Sequence, residues 1–164
     1  MNILFVCTGN TCRSSMAEGI FKEKLKTINK NDIKVSSAGI SAIEGQPANE
    51  KAVRALKDKG IDISLHRAKQ FTDDMVSKSD LILTMTVAHK KIIKDYICKK
   101  TDETSLCLNK VFTLKEYAQK INDEKNDRNN LDIADPYGMD YNVYKQSMME
   151  IEAELDKIVR KLIQ

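Results

Sequence analysis

The stretch Ile3-Leu4-Phe5-Val6-Cys7-Thr8-Gly9-Asn10-Thr11-Cys12-Arg13-Ser14 joins an apolar run to a helical pattern through a short polar loop. The run from Ile3 to Cys7 is typical of a buried strand, and apolar residues at helical spacing predict a helix from Ser15 to about Thr27. A loop between a buried strand and a helix N-terminus surrounds one point with backbone N–H groups. The stretch therefore predicts an anion-binding loop between strand 1 and helix 1.

Apolar runs and helical periodicities alternate along the rest of the chain. The further runs predicted as strands are Ile33 to Ala38, which ends in Gly39, Asp80 to Met85, and Lys110 to Phe112. Periodicity predicts three further helices. The first runs from about Asn49 to near Gly60, the second from Val87 to Tyr96, and the third, at the end of the sequence, from about Asn142 to Ile163. This alternation predicts an α/β fold, a parallel sheet with helices on both faces. The polar stretch Asn122 to Asn130 is expected to be a mobile excursion.

Length and composition place the chain among ordinary globular proteins. Its 164 residues are 41% hydrophobic and 31% charged, with a formal net charge of +3. One domain over residues 1–164 is expected, because this length buries a single core. The scattered lysines argue against nucleic-acid binding, and no run is long enough to cross a membrane. The four cysteines are expected to be reduced and the protein cytoplasmic.

Cys7 and Arg13 supply the reactive groups of the predicted loop. A thiol at an anion site feels the same positive field, so Cys7 is expected to be largely a thiolate, although an isolated cysteine is more often a small buried apolar residue. Arg13 offers a planar fork for two phosphoryl oxygens. Gly9 and Asn10 occupy the turn, where positive φ costs least. Ser14 and Ser15 are predicted as helix N-caps, with Ser15 to Glu18 in the form of a capping box, and Ser14 can also donate to the sulfur.

A thiolate that attacks phosphorus needs a proton donor for the leaving group. Asp135-Pro136-Tyr137-Gly138, just before the closing helix, supplies the best candidate. The proline fixes the direction of the Asp135 carboxyl group, and Tyr137 can form a wall of the pocket. Because an Asp-Pro pair alone is a common turn, the assignment of Asp135 depends on Cys7 and Arg13.

The residues from Phe5 to Ser14, together with Ser37-Ala38-Gly39, Asp80-Leu81-Ile82-Leu83 and Asp135-Pro136, resemble the low-molecular-weight protein-tyrosine-phosphatase family. The resemblance implies a single three-layer domain with a four-stranded parallel sheet, and a phosphocysteine intermediate on Cys7. It implies Arg13 as phosphate clamp, Asp135 as acid and then base, and no metal or other cofactor. The resemblance also implies which residues bind the phosphorylated substrate. They are Tyr137, in the wall of the pocket, and the loop residues Thr8, Gly9, Asn10, Thr11, Cys12 and Ser14. Asn10 and Ser37 are implied to support the loop by hydrogen bonding.

Within that family the sequence resembles most the protein-arginine phosphatases of Gram-positive bacteria. The shared features are Thr11, the segment Val111 to Tyr117, and Tyr144-Lys145-Gln146. A threonine hydroxyl can accept a hydrogen bond from a guanidinium, whereas an apolar residue at position 11 would pack on a phenyl ring. Position 138 is glycine and the loop Ser41 to Asn49 contains no aromatic residue, so neither segment can sandwich such a ring.

Two alternatives stay open on the sequence. Tyr137 does not decide between the two substrates, so a protein-tyrosine phosphatase is the first alternative. The second is a thiol-dependent arsenate reductase, which would need a further, closely spaced cysteine pair. Cys98 and Cys107 have eight residues between them and lie in a lysine-rich, polar segment unlike that pair. Cys12 is expected either to pack or to form a reversible disulfide with Cys7. His66 and His89 are expected to be structural.

Overall fold

Four parallel strands form the centre of the computed structural model, which describes residues 1–100, 108–122 and 130–163. The strands are β1 (Asn2–Cys7), β2 (Lys34–Gly39), β3 (Leu81–Thr84) and β4 (Val111–Thr113). They lie in the order β2-β1-β3-β4, and every pairing is parallel. The prediction of a four-stranded parallel sheet is confirmed, and each strand lies within one or two residues of the predicted bounds.

Helices cover both faces of the sheet. They are α1 (Arg13–Thr27), α2 (Glu50–Lys57), α3 (Asp73–Lys78), α4 (Val87–Cys98), α5 (Leu114–Ile121) and α6 (Tyr141–Leu162). Side chains from α1, α2, α5 and α6 pack against Ile3 and Phe5 of β1, whereas those from α3 and α4 pack against Leu4 and Val6. Because alternate residues of a strand point to opposite faces, β1 contributes to both halves of the core. The predicted three-layer α/β architecture is confirmed.

The predicted anion-binding loop from Cys7 to Arg13, called the phosphate loop below, lies at the carboxyl edge of the sheet, where β1 and β2 end together. Cys7, the last residue of β1, is paired with Gly39, the last residue of β2. A Cβ atom on Gly39 would lie 2.5 Å from the Thr8 carbonyl oxygen and 2.9 Å from the Asn10 nitrogen. Only glycine at position 39 leaves the loop room to fold back over the end of β2.

Helix α1 begins earlier than its apolar periodicity predicts. Its N-cap is Cys12, which makes no side-chain cap, and Arg13 is the first helical residue. Ser14 and Ser15 therefore lie inside the first turn, and Ser15 Oγ donates to the Cys12 carbonyl oxygen at 2.8 Å. The predicted N-cap roles of these serines and the capping box at Ser15 are wrong. The phosphate loop passes directly into the helix, which leaves no separate capping residue.

Two helices of the described ranges, α3 and α5, were not predicted from the sequence. Helix α3 has six residues and begins at the N-cap Thr72. Helix α5 begins with a capping box, in which Thr113 and Glu116 each bond to the other's backbone N–H. The signal for α5 is present in the sequence as Thr113-Leu114-Lys115-Glu116. Within the described ranges, none of the helices combines the length and the apolar character needed to span a bilayer.

The excursion predicted at Asn122 to Asn130 falls mostly outside the described residues. Asn122 itself follows the last turn of α5, and its side-chain amide donates to the carbonyl oxygen of Ala118 at 2.8 Å.

Candidate active site

A cavity of about 300 Å³ opens over the phosphate loop. The residues that line it come from the loop, from the segment after β2 and from the loop before α6; they are Cys7, Thr8, Gly9, Thr11, Cys12, Arg13, Ser41, Ile43, Gln46, Asp135 and Tyr137. The predicted nucleophile, phosphate clamp and acid therefore meet in one place, although Asp135 is more than 120 positions away from Cys7 and Arg13 in the chain. Cys7 ends β1, and the backbone N–H of Ile133 donates to the carbonyl oxygen of Met85, just after β3, which holds the segment of Asp135 at the same edge of the sheet.

Two donors converge on the sulfur of Cys7. Asn10 donates its backbone N–H to Cys7 Sγ at 3.3 Å, and Ser14 Oγ lies 2.9 Å from the same sulfur. Ser14 Oγ also accepts a hydrogen bond from Asn10 Nδ2 at 2.9 Å, so its own hydrogen is free to point at the sulfur. The Cys7 residue is only 3% exposed, so its sulfur is held at the floor of the loop by these two contacts.

Asn10 holds the loop in a conformation that few residues adopt. Its φ is 58°, in the left-handed region, and the residue is fully buried. Its side-chain amide nitrogen donates to Ser37 Oγ at 2.8 Å as well as to Ser14, and its amide oxygen accepts the backbone N–H of Lys69 at 2.9 Å. The contact implied between Asn10 and Ser37 is present. Gly9, in contrast, does not have a positive φ, so the turn depends on Asn10 alone.

Glu18 and His66 extend this support, and neither role is indicated by the sequence. Ser37 Oγ donates to a carboxylate oxygen of Glu18, one turn into α1. His66 Nε2 lies 2.7 Å from the carbonyl oxygen of Asn10 and must donate to it, because a carbonyl only accepts. A hydrogen-bonded chain thus runs from Glu18 through Ser37, Asn10 and Ser14 to the sulfur of Cys7.

Asn10→Ala is expected to destabilise the protein by about 2–4 kcal/mol, because it removes three buried hydrogen bonds and leaves alanine at positive φ. Denaturant unfolding measures the loss. The matched control is Asn29→Ala, since Asn29 is the other non-glycine residue at positive φ in the described ranges but is exposed. That control should cost about 1 kcal/mol. If both variants lost the same free energy of unfolding, the hydrogen bonds of Asn10 would contribute nothing to stability beyond the cost of positive φ.

Arg13 and Asp135 form an ion pair across the cavity. Arg13 Nη2 lies 3.0 Å from Asp135 Oδ2, and Arg13 Nη1 donates to the carbonyl oxygen of Ile133 at 3.1 Å. The Arg13 side chain is 5% exposed and that of Asp135 is 54% exposed. Asp135 Oδ1 also accepts the backbone N–H of Tyr137 at 3.1 Å, which orients the carboxylate toward the cavity. The guanidinium is thus fixed by its hydrogen bond to the Ile133 carbonyl oxygen, whereas its ion pair with Asp135 is a contact that an incoming anion can replace.

The predicted ligand-contacting residues divide into two groups. Thr8, Gly9, Thr11, Cys12 and Tyr137 line the cavity. Asn10 and Ser14 are fully buried and do not line it. Their side chains support the loop from behind, so the contact with a ligand predicted for Asn10 or Ser14 would have to come from its backbone N–H group.

Cys12 has a buried aromatic partner that the sequence did not assign to the site. Cys12 Sγ lies 3.4 Å from the hydroxyl oxygen of Tyr144, on the first turns of α6, and 3.6 Å from Thr11 Oγ1. Burial raises the pKa of the Cys12 thiol, although its hydrogen bonds with Tyr144 and Thr11 oppose the shift. Burial and the contact with Cys12 also raise the pKa of Tyr144. Cys12 is therefore held as a protonated thiol in the same cavity lining as Cys7, the predicted nucleophile.

The two remaining cysteines lie away from the cavity lining or outside the described residues. Cys98, the last residue of α4, is exposed and does not line the cavity. Cys107, its suggested partner in an arsenate reductase, lies outside the described residues. The cysteine relay of that alternative therefore gains no support from the described part of the chain.

Comparison with known proteins agrees with this geometry. The family model described as "Low molecular weight phosphotyrosine protein phosphatase" matches residues 2–164. The chain belongs to this family. A protein-arginine-phosphatase from Bacillus subtilis is 38% identical over 162 residues, 99% of this chain and 97% of the relative. The resemblance to the low-molecular-weight phosphatases and to their Gram-positive arginine-specific members is thereby confirmed.

Two solved structures in the phosphatase family have the same fold. A low-molecular-weight protein tyrosine phosphatase from T. tengcongensis superposes with a TM-score of 0.82 at 41% identity, covering 98% of this chain and 99% of that one. A mutant of the YwlE arginine phosphatase, described as carrying a phosphorylated active-site serine, superposes at 0.84 with 35% identity and covers 100% of this chain and 97% of its own. Overall identity therefore does not separate arginine-specific from tyrosine-specific relatives, and the substrate must be argued from the cavity.

Proposed function

We propose that the protein is a cysteine-dependent protein phosphatase that hydrolyses phosphoarginine in proteins. The observation that carries the proposal is the convergence of Cys7, Arg13 and Asp135 on one cavity whose wall contains the hydroxyl of Thr11. The chemistry follows from what these groups are. A hydrogen-bonded sulfur supplies the nucleophile, a buried guanidinium binds the phosphoryl oxygens, and a half-exposed carboxyl group exchanges protons.

The first step transfers the phosphoryl group to the enzyme. The phosphoryl oxygens bind the loop N–H groups and Arg13, replacing the ion pair with Asp135. Cys7 Sγ forms a bond to phosphorus as the P–N bond to the substrate guanidine breaks. Asp135, released from Arg13, takes up a proton from solvent and gives it to the departing nitrogen. Without that proton the guanidine would depart as a strongly basic free base, so acid catalysis contributes a large share of the rate.

The second step regenerates the enzyme. Asp135, deprotonated by the first step, accepts a proton from a water molecule whose oxygen attacks phosphorus. The S–P bond breaks, inorganic phosphate is released, and Cys7 returns to the thiolate, which Ser14 and the Asn10 N–H stabilise. The phosphorylated serine named for the YwlE mutant supports a phosphoenzyme of this kind, because it places a phosphoryl group on the active-site side chain of a relative.

The cavity wall favours a guanidinium over a phenyl ring. A guanidinium carries N–H donors that need acceptors, whereas a phenyl ring needs apolar faces on both sides. Thr11 lines the cavity, and its Oγ1 makes only a long contact of 3.6 Å with the Cys12 sulfur, so it can accept such a bond. The segment after β2 contributes Ile43 and Gln46 to the lining, and neither is aromatic. Tyr137 is the one aromatic side chain among the described lining residues and is 73% exposed.

Thr11→Ile is expected to lower kcat/KM for phosphoarginine peptides by about ten- to a hundredfold, because a hydrogen bond to a charged group contributes about 1.5–3 kcal/mol. The same change gives a phenyl ring an apolar surface and should raise the activity on phosphotyrosine. Thr11→Ser, which keeps the hydroxyl, is the control and should retain the wild-type preference. A loss of equal size on both substrates in Thr11→Ile would make Thr11 a packing residue.

A protein-tyrosine phosphatase is the second candidate function. Its specific support is Tyr137, an aromatic side chain in the cavity lining that can pack on a phenyl ring. The steps at sulfur and carboxyl would be the same, with a phenol oxygen as leaving group. The two candidates differ only in what the cavity wall must recognise.

Cys12 is proposed to protect the nucleophile as a partner in a reversible disulfide. Peroxide oxidises the Cys7 thiolate to the sulfenic acid and is itself reduced to water; attack by Cys12 Sγ then forms the S–S bond and releases a second water. We expect mild peroxide to inactivate the enzyme and dithiothreitol to restore activity. Cys12→Ala should instead lose activity irreversibly through sulfinic Cys7, while Cys98→Ser behaves as wild type. Recovery of Cys12→Ala by dithiothreitol would contradict the disulfide.

The proposed chemistry also argues for a reducing compartment. Turnover requires Cys7 as a free thiolate, and the described cysteines Cys7, Cys12 and Cys98 are all reduced in the structure. We therefore propose that the enzyme acts in the cytoplasm on phosphorylated proteins, where thiols stay reduced.

A further inference from the structure

His89 is a buried histidine that the proposed mechanism does not use. It lies in the first turn of α4, where its backbone N–H donates to the N-cap hydroxyl of Thr86. The residue is 6% exposed, and its Nε2 lies 2.9 Å from Oγ1 of Thr8, which directly follows the nucleophile. A side chain from the helix after β3 thus reaches the phosphate loop at the position next to the reacting sulfur.

The ring has one partner and one free nitrogen. Nε2 is bonded to the Thr8 hydroxyl, whereas Nδ1 is buried and has no hydrogen-bond partner in the described part of the chain. A buried N–H group without an acceptor is rarer in proteins than an acceptor without a donor. The neutral ring is therefore expected to carry its proton on Nε2 and to donate it to Thr8 Oγ1.

Burial, together with a nearby positive charge, keeps the ring neutral near pH 7. Burial, followed by the positive charge of Arg13, lowers the pKa of His89 to about 4. The carboxylates of Asp135 and Asp132 oppose the shift but do not cancel it. His89 is thus available at neutral pH as a fixed hydrogen-bond donor and carries no charge of its own.

The direction of this bond decides what the Thr8 hydroxyl can do. If Thr8 Oγ1 accepts from His89, its own hydrogen must point elsewhere, and Thr8 lines the cavity beside Cys7 and Arg13. Resting on the proposed phosphatase function, we propose that His89 is a positioning residue that turns the Thr8 hydroxyl into a donor to the phosphoryl group. It acts through Thr8 and touches neither the substrate nor the sulfur.

A double-mutant cycle in the full-length protein tests the coupling. The variants are His89→Leu, Thr8→Val and the two combined, and the first readout is the affinity for inorganic phosphate. Each single change should weaken phosphate binding by about ten- to a hundredfold, and the combined variant should be no weaker than Thr8→Val alone. His89→Gln carries an amide N–H group near the same position and should recover most of the affinity. Losses that multiply in the combined variant would overturn the proposal.

Two further measurements separate positioning from a structural role. Nitrogen NMR of the wild-type His89 ring should show the proton on Nε2 and titration near pH 4; a proton on Nδ1 at neutral pH would overturn the proposal without any variant. His89→Gln should keep the wild-type pH profile of kcat/KM between about pH 5 and 8, because a neutral ring does not titrate there. If His89→Gln lost the rise or the fall of kcat/KM with pH that the wild type shows, His89 would instead act as an acid or a base in the reaction.

The proposed function and this inference can fail separately. Phosphate affinity and the NMR signal do not depend on which phosphorylated residue the enzyme accepts. If the wild type hydrolysed neither phosphoarginine nor phosphotyrosine yet the cycle showed coupling, the function would be wrong and the role of His89 would stand. Normal hydrolysis without coupling would leave the function in place and reject the role of His89.

Discussion

Cys7→Ser is expected to lower kcat by about 10⁴-fold or more while inorganic phosphate still binds, since removal of a nucleophile alone abolishes most of the catalytic rate. Serine keeps the shape of the loop, and Arg13 and the backbone N–H groups that bind phosphate are unchanged. A hydroxyl, however, ionises far less readily than a thiol under the same hydrogen bonds from Asn10 and Ser14. Turnover of a phosphopeptide and calorimetric phosphate binding together measure the two effects.

The matched control for the nucleophile is Cys98→Ser, at an exposed cysteine that does not line the cavity. It should have wild-type turnover and phosphate affinity. Turnover in Cys7→Ser comparable with wild type would reject a mechanism through Cys7. Loss of phosphate binding in Cys7→Ser would show that the loop itself had collapsed, so that the rate could not be assigned to the sulfur.

Asp135→Asn is expected to lower kcat by about 10²–10⁴-fold on substrates with a basic leaving group, because it removes the proton donor. The loss should be much smaller on an aryl phosphate with an acidic leaving group, which departs without a proton. Steady-state kinetics on both substrates measures the difference. Since Asp135 also pairs with Arg13 at 3.0 Å, the variant frees the guanidinium, and phosphate should bind at least as well as in wild type.

The control for the acid is Asp140→Asn in the same loop. Asp140 caps α6 by accepting the backbone N–H of Val143 at 3.2 Å, and asparagine can do the same. This control should leave kcat unchanged on both substrates. If Asp135→Asn lowered both rates by the same factor, the carboxylate would act on loop geometry and not on the leaving group.

The parts of the site that the sequence predicted are those encoded by a short local pattern. The segment from Cys7 to Arg13 specifies a strand end, a turn and a helix start within seven positions, so the prediction of an anion site there needs no tertiary information. Asp135 lies far along the chain, but the fold class brings its loop to the same edge of the sheet, and the family resemblance identifies it. The four strands and the long helices likewise follow from periodicity.

The parts that the sequence did not predict depend on contacts between distant elements. The local pattern places Glu18 in a capping box, yet Glu18 accepts a hydrogen bond from Ser37 on β2. His66 and His89 contact the loop from two separate segments, and nothing in their local sequence indicates which buried histidine reaches a backbone carbonyl or a hydroxyl. Helix α3 is too short to show a helical period. Helix α5, in contrast, has a readable capping box at its N-terminus.

The central claim concerns the substrate, and the most direct measurement compares kcat/KM of the wild-type enzyme on two peptides of one sequence, one with phosphoarginine and one with phosphotyrosine. The Thr11 hydroxyl and the scarcity of aromatic side chains in the cavity lining lead us to expect a preference for phosphoarginine of about tenfold or more, as one hydrogen bond to a charged group provides. The Cys7→Ser protein, treated in parallel, should turn over neither peptide. A higher kcat/KM on the phosphotyrosine peptide would contradict the assignment and make the protein a tyrosine phosphatase.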